Sequence, residues 1–132
     1  MRYVLLTYNP PDARELWDSM TPSERRAEED EYVRLVDEMR DRNAYLGAVE
    51  LEPTAAVRTV RVRDRARSVA DGPAPSEESL TGYFLIEADS VDAAIDWAAR
   101  IPNARNGSVE VRPVDEGELA GRIAGAATDG RE

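Results

Sequence analysis

The sequence predicts an α+β fold, a split βαβ layout that carries one extra hairpin. Three observations predict it. Strand-like runs lie near both ends, at residues 2–8 and 108–114, and a third covers Thr81–Ala88. Two capped, amphipathic stretches separate these runs, one starting at Thr21 and one at Asp89-Ser90. Between them, residues 56–70 read as two short strands joined by a tight turn. The order is therefore strand, helix, strand, strand, short strand, strand, helix, strand.

The first strand, residues 2–8, holds Val4, Leu5, Leu6 and two tyrosines, and Asn9-Pro10-Pro11-Asp12 ends it. A short helical stretch over 12–20 carries Trp17 and Met20. Thr21-Pro22-Ser23-Glu24 then supplies an N-cap, a proline at the first helical position and a glutamate that returns a bond to the cap. That helix should run to about residue 42, with Tyr32, Leu35, Val36 and Met39 as its apolar stripe and Glu28 one turn upstream. Asn43 tolerates a left-handed helix end. Tyr45 to Leu51 reads as a second strand reaching Pro53, with Gly47 as a candidate bulge.

In the third strand, residues 56–63, Val60 and Val62 face one side and Arg61 and Arg63 the other. Asp64-Arg65 makes the turn into a strand through Val69 and Ala70, and a regular hairpin would put Arg61, Arg63, Arg65 and Arg67 on one face. Asp71-Gly72-Pro73-Ala74-Pro75 follows as a loop, and residues 76–79 are polar. The second long helix buries Val91, Ala94, Ile95, Ala98 and Ile101 and stops at Pro102. Asn106-Gly107 turns into a final strand with Val109 and Val111 facing inward. Residues 1–114 thus form one domain. Residues 115–132 are rich in Gly, Ala and charge, and are expected to be a frayed helix or disordered. Two helices on one sheet face leave the other face open and apolar, so a homodimer is expected to cover it.

Composition narrows the chemistry. The chain has 132 residues, enough for a single core, and a net charge of -10. An acidic field repels phosphate polyanions and acidic membrane surfaces, so neither direct nucleic-acid binding nor membrane association is expected. No run approaches a membrane span and Met1–Tyr8 is too short for a signal h-region, which points to the cytoplasm. Cysteine, histidine and lysine are all absent. Disulfides, thiol nucleophiles, the usual zinc ligand sets and Schiff-base chemistry are thereby excluded, and no metal or cofactor is expected. Any catalysis would fall to Asp, Glu, Tyr, Arg, Ser or Thr. Phosphate-loop, dinucleotide and serine-hydrolase motifs are missing.

Five ordered motifs carry a resemblance. Met1–Leu6, the Asp71-Gly72-Pro73 turn, Gly82–Ala88, Trp97–Pro102 and Gly107–Pro113 together resemble the YCII-related proteins of the DGPF type, over residues 1 to about 114. The resemblance implies a ferredoxin-like fold that pairs into a dimeric α+β barrel, with a pocket near the Asp-Gly-Pro turn and the dimer interface. Relatives are thought to hold a His and Asp pair there, and one branch resembles dehydrochlorinases acting on chlorinated hydroxyhydroquinones. Members also occur beside or fused to extracytoplasmic-function sigma factors. This chain departs from the pattern in two places: Ala74 stands where the DGPF type has an aromatic, and there is no His.

Asp71 is the candidate catalytic residue. Partly buried, it would gain a raised pKa by desolvation and serve as a general acid or base; alternatively it caps its own turn. Gly72 and Pro73 shape that turn, and Tyr83, Tyr32, Glu28 and Arg61 are the candidate ligand-binding residues around it. Glu28 is otherwise a solvated surface group, and the arginines of residues 58–67 are otherwise a solvated face. Two functions fit: a cofactor-free enzyme moving a proton or eliminating a leaving group on a small, aromatic substrate, or a non-catalytic small-ligand-binding or regulatory dimer linked to a sigma factor.

Overall fold

In a computed structural model, residues 1–52, 57–74 and 78–129 are described here. The elements in chain order are β1 (Arg2–Asn9), α1 (Ala13–Ser19), α2 (Pro22–Asp41), β2 (Tyr45–Glu50), β3 (Arg58–Arg63), β4 (Ala66–Asp71), β5 (Ser79–Glu87), α3 (Val91–Ala99), α4 (Asn103–Asn106), β6 (Ser108–Pro113) and α5 (Glu118–Asp129). One antiparallel sheet has the order β2-β5-β1-β6, and among the described residues β3 and β4 pair only with each other. The unit from β1 through α2 to β2 is split by β5, and the unit from β5 through α3 to β6 is split by β1. This is the ferredoxin-like α+β topology with a hairpin inserted.

Alternation along β1 decides which face is covered. Tyr3, Leu5 and Thr7 are buried, and their cross-strand partners Ile86 and Phe84 join Leu35 and Met39 of α2 and Ala94, Trp97 and Ala98 of α3 in one core. The capping box of α2 forms as the sequence predicts: Glu24 N–H donates to Thr21 Oγ1 at 3.1 Å, and Thr21 N–H donates to Glu24 Oε1 at 2.8 Å. Asn43 takes φ 58° and ends the helix.

The opposite face is built from the cross-strand rows of the sheet. Val49, Tyr83, Leu6 and Glu110 form one cross-strand row, Gly47, Leu85, Val4 and Arg112 the next, and Leu80, Tyr8 and Ser108 a third. Val49, Leu80 and Tyr83 are exposed there. The bulge foreseen at Gly47 falls between Tyr45 and Gly47, and a second one between Thr7 and Tyr8 makes Thr81 the extra residue of β5.

Several expectations are corrected. Val91 and Ile95 are exposed rather than buried; α3 instead turns Trp97 inward, where a ring covers more area than Ile95 would. The guanidiniums of Arg42 and Arg100 lie 5.4 and 5.2 Å from the centre of that ring. The four odd-numbered arginines do not share a face. Arg61 and Arg63 stand opposite Ser68 and Ala66, whereas Arg67 stands opposite Val62, because the two-residue turn Asp64-Arg65 shifts the parity of β4. Both turn residues have positive φ, 51° and 64°, the geometry of a tight hairpin turn. A short helix, α4, follows Pro102, and β5 begins at Ser79 instead of Thr81. Beyond β6 the backbone is helical over Glu118–Asp129, with Leu119 and Ile123 exposed. β2 stops at Glu50 and β3 starts at Arg58, both shorter than expected, while Pro53, residue 56 and the loop at 75–77 lie outside the described residues. No helix among the described residues is long and apolar enough to cross a membrane.

Candidate functional site

Asp71 closes β4 with its side chain 91% exposed, and its Oδ1 lies 3.2 Å from Nε of Arg58, the residue directly opposite. Gly72 follows at φ +91°, a conformation costly for any residue with a Cβ. Its N–H donates to Val57 O at 2.8 Å, and its carbonyl accepts from Thr59 Oγ1 at 2.7 Å. The turn therefore belongs to the hairpin and is tied to β3 on both sides. Pro73 continues it, exposed. Arg61 lies on the hairpin's other face from Asp71, by the register. Among the described residues no hydrogen bond or ion pair joins Asp71 to Tyr32, Tyr83, Glu28 or Arg61.

Tyr83 projects from β5 onto the open sheet face, beside Leu6 and Val49. Tyr32 lies on the covered side. Its hydroxyl donates a short hydrogen bond to Asn103 Oδ1. Asn103 is buried on α4 and donates through Nδ2 to Asn9 Oδ1 at 2.8 Å and to Thr81 Oγ1 at 3.4 Å. Thr81 Oγ1 donates to Thr7 O at 3.2 Å, which leaves the Thr7 hydroxyl to donate to Thr81 Oγ1 at 2.9 Å. Five side chains from β1, α2, β5 and α4 thus form one polar network at the end of the sheet where β5 begins. No buried side-chain N or O among the described residues lacks a partner.

Burial pushes the Tyr32 phenol up to about 12, and the charges of Glu28 and Glu50 push in the same direction. Tyr32 is thus a protonated donor at neutral pH. Glu28, half-buried, acts on this network through its charge. Around it, Glu31 takes a two-pronged bond from Arg105 at 2.7 and 3.0 Å, and that guanidinium holds the Glu31 carboxyl below the usual range. Glu38 is held low in the same way by Arg100. Glu31, Arg34, Leu35, Arg100 and Arg105 line a shallow cleft of about 200 Å³ between α2 and the α3–α4 segment. Among the described residues no group of three or more Asp or Glu could hold a metal ion.

Asn103, Thr81, Thr7 and Asn9 are absent from the sequence-based candidates. The signal available for Asn103 is its place directly after Pro102, where the proline ends one helix and starts a short one; nothing in the spacing pairs it with Tyr32, 71 residues away.

The sequence profile of the YCII-related domain matches residues 1–117. An uncharacterized protein of Rhizobium meliloti (strain 1021) is 37% identical to the chain over 127 residues, spanning 86% of this chain and 92% of that relative. With the split βαβ sheet, the inserted hairpin and the Asp-Gly-Pro turn in place, the chain belongs to the YCII-related family.

Proposed function

We propose that the chain is a homodimeric small-ligand-binding protein that releases its ligand unchanged. The observation that carries this reading is Asp71: a carboxylate 91% exposed and paired with Arg58 lacks the desolvation a general base at neutral pH needs. A proton relay also needs a second group, and no side chain that titrates near neutrality unaided is present in the chain. The buried network around Asn103 satisfies its own donors and acceptors, so it shapes the sheet end without offering a free base. The open sheet face supplies the ligand surface instead, apolar along Leu6, Val49, Leu80 and Leu85, with the phenols of Tyr8 and Tyr83 as polar contacts. This favours a small aromatic ligand held where that face meets a second copy.

The test uses a panel of phenols and benzoates with the full chain. Binding is read by calorimetry and the fate of the bound compound by NMR. The expected result is saturable binding, weakened about tenfold by Tyr83→Ala, unaffected by Asp71→Asn, with the compound recovered intact. Turnover of a bound compound that disappears in Asp71→Asn would establish the enzyme reading in its place.

A further inference from the structure

The β3–β4 hairpin is a ribbon with an open edge. Among the described residues its strands pair only with each other, and every residue of both is exposed except Thr59. Two strands alone are marginal in water, and a third strengthens such a ribbon. The register shows what the edge of β3 offers. Gly72 N–H donates to Val57 O, and Arg63 and Ala66 close the two-residue turn Asp64-Arg65, so the hydrogen-bonded pairs are Val57 with Gly72, Thr59 with Ala70, Arg61 with Ser68 and Arg63 with Ala66. The backbone N–H and C=O groups of Arg58, Val60 and Val62 therefore point away from β4. A chain laid along them would meet two unlike faces. Val60 and Val62, each 58% exposed, lie on one, and Arg61 and Arg63 lie on the other.

Charge selects the chain that fits. Residues 61–68 hold four Arg and one Asp, a net +3, which leaves -13 on the remainder of a chain of -10. Among the described residues none of Arg61, Arg63, Arg65 and Arg67 forms an ion pair, although the chain has 27 acidic residues. Arg63 Nη1 donates instead to Val62 O, at 3.1 Å. Arg61 and Arg63 stand about 7 Å apart along the strand, and carboxylates at alternate positions of an extended peptide repeat at that same distance. A nucleic acid could match the charge, but it offers no strand backbone for the open edge and no apolar side chains for the valines. We propose that the edge of β3 takes up, as a third strand, an extended segment of a partner protein whose residues alternate acidic and apolar. Its carboxylates pair with Arg61 and Arg63, and its apolar side chains rest on Val60 and Val62.

The test uses the full chain and a fluorescently labelled synthetic peptide of alternating Glu and Val, with binding read by anisotropy. Saturable binding is expected, weakened about tenfold or more in Arg61→Gln/Arg63→Gln and weakened by salt. Methylating the peptide's backbone nitrogens at alternate residues, in the register that faces β3, should abolish binding. Hydrogen exchange should show new protection at the Val60 and Val62 amides when the peptide is bound, with β1 and β5 as well protected in the double variant as in the wild type. Absence of binding at millimolar peptide overturns the proposal, as does binding that survives both the double variant and N-methylation. New protection in β2 or β6 instead would place the peptide on the main sheet and overturn it too. Equal displacement by an oligothymidylate of the same charge would reduce the arginines to a general polyanion surface and overturn the strand.

Discussion

Tyr32 and Asn103 show how one residue pair holds two layers together. The phenol comes from α2 and the amide from α4, and the amide passes the connection on to Asn9 of β1 and Thr81 of β5. Tyr32→Phe would leave Asn103 Oδ1 without its donor in a buried setting, at a cost of about 1–3 kcal/mol. The pH dependence has a definite sign. Because the folded-state pKa is raised to about 12 from an ordinary 10, the folded protein holds this proton more tightly than the unfolded chain. The stability Tyr32 contributes is complete below pH 10 and is lost as pH climbs from 10 towards 12. Denaturant titrations of wild type and Tyr32→Phe should therefore differ most at neutral pH and converge over that window. A constant difference across it would contradict the assigned role. At this scale Tyr32 was legible as part of an i, i+3, i+4, i+7 stripe, but its partner was not, since polar contacts between distant segments leave no periodic trace.

At the scale of elements, the sheet depends on a close approach at Gly82. A Cβ there would lie 2.2 Å from the carbonyl oxygen of Val49, a clash with backbone that cannot be relieved by rotating a side chain. Gly82→Ala should force β2 away from β5 and cost about 1–3 kcal/mol, with amide exchange accelerated at Val49 and Leu51 and unchanged in β6. Uniform acceleration across the sheet would argue against a local separation. The strands and the two long helices were readable because each carries its own signal: the Thr21 to Glu24 box, Asn43 at the end of α2, the alternation through Val109 and Val111. The hairpin turn at Asp64-Arg65 was readable too. The facing of its arginines was not, because parity across a two-residue turn depends on where pairing starts. Likewise Ile95 and Trp97 both satisfy an amphipathic pattern, and only packing in the core, which takes in Trp97 and leaves Ile95 exposed, chooses between them.

The whole molecule is a one-sided sandwich. Helices cover one face of a four-stranded sheet, and the rows of the other face set Leu6, Val49, Leu80, Tyr83 and Leu85 side by side, with Val49, Leu80 and Tyr83 exposed. Exposed apolar surface of this kind marks an interface, and in the homodimer proposed above a second copy would cover that face. The family was legible in five motifs spread along the chain. The candidate site was less so, because Asp71 takes its meaning from exposure, which sequence position does not encode. The central claim is that two copies complete the structure, and sedimentation equilibrium of the purified wild-type chain at micromolar concentration tests it most directly. The account predicts a particle of twice 14.6 kDa, whereas a particle of 14.6 kDa across the accessible concentrations would contradict it.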